Sequence, residues 1–99
     1  MATLNSLDYA RPVLGQQPSI VRATLTAVAG DDTANSFTVD LAPKLKAVDS
    51  FMLEHRKSDG QLKAVKATVS GTVITVADGA TDTIAAGDTT VIWAEGPIA

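Results

Sequence analysis

Short runs in which apolar and polar residues alternate are the feature that most constrains this fold. Three such runs, rich in β-branched side chains, occupy residues 62–69, 72–77 and 89–95. Successive residues of a strand point to opposite faces of a sheet, so alternation indicates strands with one buried face. The breaks between the runs are rich in glycine and aspartate, which are typical of turns. This part of the chain therefore predicts three successive antiparallel strands.

The same alternation occurs in the first half of the chain. Residues 20–28 place Val21 and Leu25 on one face, and residues 36–41 place Phe37 and Val39 on one face. The segment between them is rich in glycine, aspartate and asparagine, which favour turns. We predict that these two strands form a hairpin.

Residues 47–57 and the connection before them fit two structures. The side chains at 45, 48 and 52 recur at helical spacing, whereas those at 51, 53 and 55 alternate as in a strand. We favour the strand, because Ser-Asp-Gly-Gln at 58–61 is typical of a tight hairpin turn. A helix over 45–56 would instead make the fold α+β.

The spacing of strands and turns indicates the fold class. About six strands counted from residue 20 predict an all-β protein, a small antiparallel β-sandwich or barrel. The chain has 99 residues, enough for one domain, which we place at 20–99. With only four aromatic residues, the core must consist mainly of aliphatic side chains, with Phe37, Phe51 and Trp93 as large fillers and Ile84 under the sheet. Such a thin core would gain from oligomerisation.

Residues 1–19 show no sustained period, and Pro12 and Pro18 interrupt them. Proline removes a backbone donor and favours extended geometry before it, so we predict an extended N-terminal arm. The arm is more apolar than a solvated tail needs to be. We therefore favour contact with this domain, a neighbouring copy or another protein over the alternative, a partly disordered terminus. The candidate contact residues are Leu4, Leu7, Tyr9, Val13 and Leu14.

The residue types of the chain argue against an enzyme. It has no cysteine, and His55 is its only histidine, so thiol chemistry and multi-histidine metal centres are excluded. We interpret His55 as a solvated or hydrogen-bonded structural residue. Asp78 and Asp82 raise the possibility of a calcium site, but turn formation explains them better. We therefore expect no catalytic residue, cofactor or metal.

The charge and hydropathy patterns limit the classes of partner and the location that we expect for this protein. The net charge is −3, which disfavours nucleic acid as a partner. No long apolar run predicts a membrane span, and the first residues have no leader pattern, so we expect a soluble protein made in a cytoplasm.

Five segments between residues 37 and 96 suggest a family resemblance. They are FTVDL at 37–41, VDSFMLEHR at 48–56, SDG at 58–60, GTVITV at 71–76 and AGDTTVIWAEG at 86–96. Together they resemble small β-rich virion proteins of tailed bacteriophages. The arm lies outside the resembling span.

The resemblance implies a structural role in the virus particle. The expected function is that of a capsid decoration, or cement, protein that binds the major capsid protein on the outer shell and bridges capsomers, commonly as a homotrimer. The virion would then be its location, after synthesis in the host cytoplasm. The alternatives are a component of the neck, tail or a fibre, and a lectin-like binding module that uses Trp93.

Overall fold

The computed structural model describes residues 2–11, 19–30 and 34–99. They form eight strands in two antiparallel sheets, which confirms the predicted all-β fold and its β-sandwich form. The strands are β1 (Thr3–Arg11), β2 (Ser19–Thr26), β3 (Ser36–Asp40), β4 (Ser50–Arg56), β5 (Leu62–Lys63), β6 (Lys66–Ser70), β7 (Val73–Ala77) and β8 (Thr89–Gly96).

The two sheets differ in size. The larger has the order β1-β2-β8-β4-β5, and the smaller has the order β3-β7-β6. The core lies between them, because the buried side chains alternate along each central strand. It is almost entirely aliphatic, as expected, and includes Val21, Leu25, Phe37, Val39, Leu41, Leu45, Ile74, Val76, Ile84 and Ile92.

The predicted strand over 47–57 is confirmed in its central part. β4 occupies Ser50–Arg56, and residues 45–49 form no helix. The predicted turn is also present, since Lys57 N–H donates to the Gln61 carbonyl and Gly60 N–H donates to the Lys57 carbonyl. β4 and β5 then pair antiparallel across this turn.

The predicted strand pairings are partly wrong. β2 and β3 do not form a hairpin, because they belong to different sheets. The run at 62–69 is also divided, with β5 in the larger sheet and β6 in the smaller one. β8 does not follow β7 in a meander but lies between β2 and β4. Alternation shows which face of a strand is buried, but it leaves the choice of partner to the rest of the fold.

The described half of the predicted arm is an edge strand. β1 is extended, as expected, but it pairs antiparallel with β2 along its length and so belongs to the sheet. Its register shifts between Leu4 and Ser6 and again between Tyr9 and Arg11. The first shift brings Leu4 and Leu7, three residues apart, onto the same face. These bulges explain why no period of two is visible in the sequence.

Candidate functional site

Three of the five predicted contact residues lie on the inner face of β1. Leu4, Leu7 and Tyr9 pair with residues of β2 that belong to the core. Leu7 and Tyr9 are half-buried and pack against the core, whereas Leu4 is 44% exposed. Val13 and Leu14 lie outside the described residues. Of the three that are described, Leu4 has the side chain most accessible to a partner.

Tyr9 makes a specific contact inside the domain. Its hydroxyl donates a hydrogen bond to the Lys44 carbonyl oxygen, at 2.8 Å. The Lys44 ammonium lies 4.9 Å from the centre of the Tyr9 ring, within the range of a cation–π interaction. These two contacts hold the connection after β3 against the C-terminal part of β1.

An open groove of about 350 Å³ lies on the outer face of the larger sheet. Met52, which is 67% exposed, and the half-buried Trp93 stand side by side across β4 and β8. Arg22 continues the same row on β2. The lining residues are Ile20, Ser50, Phe51, Met52, Trp93, Ala94 and Glu95.

The interpretation of Trp93 as a core filler is wrong. Ile92 and Ala94 are 0% and 2% exposed, so alternation along β8 turns Trp93 to the opposite face. The sequence could not decide this, because residues of both phases of β8 are apolar. Phe37 is buried and Phe51 packs against the core, as expected.

The groove has the composition of a protein-binding surface. Tryptophan, other aromatic residues and methionine are enriched in interfaces, and a polar rim is typical of them. Here Met52 and Trp93 form the apolar centre, with Ser50 and Glu95 at the margin. Met52 is a candidate binding residue that the predicted sites lack, although its place one residue out of phase with Phe51 and Leu53 puts it on the outer face of a strand.

A buried polar cluster joins β4, β5, β8 and the loop before β8. His55 and Asp88 are 1% and 3% exposed, and His55 Nε2 lies 3.0 Å from Asp88 Oδ2. The same oxygen accepts hydrogen bonds from Lys63 Nζ at 2.7 Å and from the Ala85 N–H at 2.9 Å. Lys63 Nζ also donates to the Thr83 carbonyl oxygen at 2.6 Å. Asp88 is therefore the acceptor at the centre of the cluster.

Asp88 is ionised at neutral pH. Burial acts to raise the pKa of its carboxyl, but hydrogen bonds from Lys63, Ala85 and His55 together outweigh burial and lower the pKa below the ordinary value of 3.8. A carboxylate that accepts three donors is well satisfied inside a protein. His55 is thus a buried, hydrogen-bonded residue, one of the two forms expected from the sequence.

The cluster contains the same order of groups as a catalytic triad, but its hydroxyl group is not accessible to a substrate. Thr90 Oγ1 lies 2.7 Å from His55 Nδ1, which gives a hydroxyl, an imidazole and a carboxylate in sequence. However, Thr90 is 1% exposed and does not line the groove around Met52 and Trp93, so its hydroxyl cannot reach a substrate in this conformation. The geometry supports a structural role, in which the three side chains satisfy one another.

The aspartates of the loop before β8 bind backbone groups. Asp78 Oδ1 accepts from the Ile84 N–H, and Asp82 Oδ2 accepts from the Ala64 N–H. Among the described residues, no group of three or more histidine, cysteine or acidic side chains is placed to hold a metal ion. In that same part of the chain no helix has the length and apolar character needed to cross a membrane.

Comparison with known proteins gives no relative: no family model, no curated protein and no solved structure matches this chain.

Proposed function

We propose that this chain is a structural protein of a tailed-bacteriophage virion, namely a capsid decoration protein. In this proposal it binds the outer surface of the shell built by the major capsid protein and stabilises the contacts between capsomers. It acts as a homotrimer. No cofactor takes part.

The observation that carries the proposal is the exposed apolar groove around Met52 and Trp93. A side chain of methionine that is 67% exposed beside a tryptophan is costly to leave in water. Burying both against a partner would recover this free energy, and large apolar anchors commonly dominate the affinity of an interface. The groove is therefore a suitable docking surface for a shell protein.

The groove also coincides with the segments that carry the family resemblance. Ser50, Phe51 and Met52 belong to the segment at 48–56, and Trp93 and Glu95 belong to the segment at 86–96. The two segments are adjacent in space because β4 and β8 pair directly. Two of the five resembling segments thus contribute to the surface that we assign to binding.

A trimer suits a chain of this size. Identical copies around a symmetry axis bury surface that a small domain cannot bury alone. Three linked grooves would also bind a repetitive shell more tightly than one groove, since the second and third contacts form at high effective concentration. Both effects favour an oligomeric decoration protein.

Met52→Asp should weaken attachment to the shell by at least about tenfold, because it places a charge at the apolar centre of the groove. The measurement is a binding curve of purified protein on heads that lack this chain. Thr68→Asp is the matched control, because Thr68 is an exposed residue of the smaller sheet and gains the same charge. It should bind like the wild type.

Equal binding by both variants would contradict docking through the groove. The same experiment addresses the location in the particle, because purified tails can replace the heads. Saturable binding to necks, tails or fibres with none to heads would favour the alternative structural role.

The position of the half-buried Trp93 on an open groove favours one further candidate, a lectin-like module. An aromatic ring on an open groove can stack on a sugar ring. A glycan array probed with the wild type and with Trp93→Ala would detect this activity as sugar binding that the substitution abolishes. Such a result, together with no binding to heads, would replace the decoration proposal.

A further inference from the structure

A second groove, of about 310 Å³, lies between the two sheets beside β3. Leu4 faces into the sandwich from β1 yet is 44% exposed. β3 is an edge strand of the smaller sheet, and no described strand lies beyond it to cover Leu4. Farther along β1, the hydrogen bond from Tyr9 to Lys44 shows that the connection after β3 covers the strand. The groove is lined by Ala2, Leu4, Leu25, Thr38, Val39 and Asp40.

The backbone of β3 presents hydrogen-bonding groups along this groove. Asp78 N–H donates to the Asn35 carbonyl and Leu41 N–H donates to the Thr72 carbonyl, so the odd-numbered residues of β3 bond to β7. In an antiparallel ladder the residues between them point their N–H and C=O groups to the other side. Those of Ser36, Thr38 and Asp40 therefore face outward, and no described strand pairs with them.

The β3 edge lacks the bulges of β1 and the lysine of β6. Its register is continuous over five residue pairs, whereas β1 has two register shifts that interrupt its ladder. β6 begins with Lys66, a residue that discourages pairing at an edge. β3 has no lysine, proline or bulge. It is the edge on which another strand can add most readily.

The space beside β3 fits one strand and disfavours a second copy of the domain. The larger sheet has two strands more than the smaller one, and β1 borders the groove above β3. If two copies paired through β3 across a two-fold axis, their β1 strands would meet at the same place. A single extended segment avoids this overlap.

We propose that the β3 edge and this groove bind one extended segment of a partner protein as a fourth strand of the smaller sheet. The inference rests on the proposed function for the partner being a protein, and it states how one segment of that partner is held. Strand addition of this kind combines backbone hydrogen bonds with pockets for alternate side chains.

The groove defines the chemistry of the segment. Every second side chain of an added strand would enter the apolar space beside Leu4 and Leu25, so these positions should be aliphatic. The alternate side chains would lie beside Asp40, whose carboxylate accepts from Thr72 Oγ1 at 2.7 Å and from the Ala42 N–H at 2.9 Å. These bonds keep the pKa of Asp40 below its ordinary value, so it is ionised and favours a lysine or arginine in the segment.

A display library of 12-residue random peptides, selected on the full chain, tests the proposal. We expect enriched peptides with aliphatic residues at every second position and a basic residue between them. Thr38→Pro removes an outward N–H of β3 and leaves the hydrogen bonds to β7 in place. It should lower the affinity for a selected peptide by at least about tenfold. Ala67→Pro is the matched control, because the pairing of β6 with β7 leaves the Ala67 N–H on the opposite outer edge of the same sheet. Leu4→Glu gives a second variant that acts through the groove.

Wild-type affinity in Ala67→Pro, with loss in both Thr38→Pro and Leu4→Glu and unchanged thermal midpoints, would support the proposal. Equal binding by all variants, peptides that protect the amides near Trp93 instead of Thr38, or no enrichment of alternating peptides would overturn it. The proposal would also be overturned if Thr38→Pro bound the selected peptides like the wild type and lost only self-association. Because no virus particle is used, these failures leave attachment to the shell to be judged separately by Met52→Asp.

Discussion

Asp88→Ala should destabilise the domain by about 3 kcal/mol, because removing one partner of a buried ion pair leaves the other groups without their acceptor. In the wild type, Asp88 Oδ2 receives bonds from His55, Lys63 and Ala85. Lys63 retains the Thr83 carbonyl, which places the effect at the lower end of the range for buried pairs. Since a domain of this size is stable by only roughly 5–15 kcal/mol, the loss is large. Urea unfolding followed by Trp93 fluorescence measures it.

Asp40→Ala is the control for this prediction, because its carboxylate is exposed and its removal should have a much smaller effect. Acid provides a second control. The folded pKa of Asp88 is below 3.8, so its contribution is present above that pH and is lost as the pH falls through the folded value. The stability difference between the wild type and Asp88→Asn should therefore shrink from pH 7 to pH 2. A constant difference would contradict the role assigned to the charge.

Gly96→Ala should cost about 3 kcal/mol, at the upper end of the usual effect of overpacking. A β-carbon at position 96 would overlap the carbonyl oxygen of Ala47. The backbone there cannot move easily, since Asp49 N–H donates to Glu95 and Lys46 N–H donates to Pro97 on either side of it. The free energy of unfolding in urea is again the measurement.

Gly60→Ala is the matched control, because an alanine at position 60 would strain the backbone without overlapping another atom. Gly60 has φ +94° and no non-neighbouring atom within 4 Å of an added β-carbon, so alanine there should cost only the strain of positive φ, about 1–2 kcal/mol. Equal losses in the two variants would mean that the close approach of Ala47 does not limit position 96.

The individual strands could be predicted from the sequence, but their arrangement could not. Alternation located β2, β3, β7 and β8, because one buried face leaves a period of two. It also predicted a single strand over 62–69, where the structure has β5 and β6 in different sheets. Alternation does not reveal β1, because a bulge breaks the period of two between Leu4 and Leu7. The assignment of β2 and β3 to different sheets depends on long-range pairing with β8, which no local pattern records.

The candidate surfaces were predictable only in part. Leu4 was selected for its apolar side chain, and the structure places it at the inter-sheet groove. Trp93 was assigned to the core, because β8 is apolar in both phases and the sequence does not show which phase faces inward. The cluster of His55 and Asp88 joins residues 33 positions apart. Such a contact has no signature in sequence spacing.

Electron microscopy of intact particles, from cells that express this chain in its native context, would show directly whether the protein decorates the outer shell. We expect density for trimers of the β-sandwich on the outer shell, with the groove around Met52 and Trp93 buried against the major capsid protein. Shells without this density, or the chain found only at the neck, tail or fibres, would contradict the proposed function.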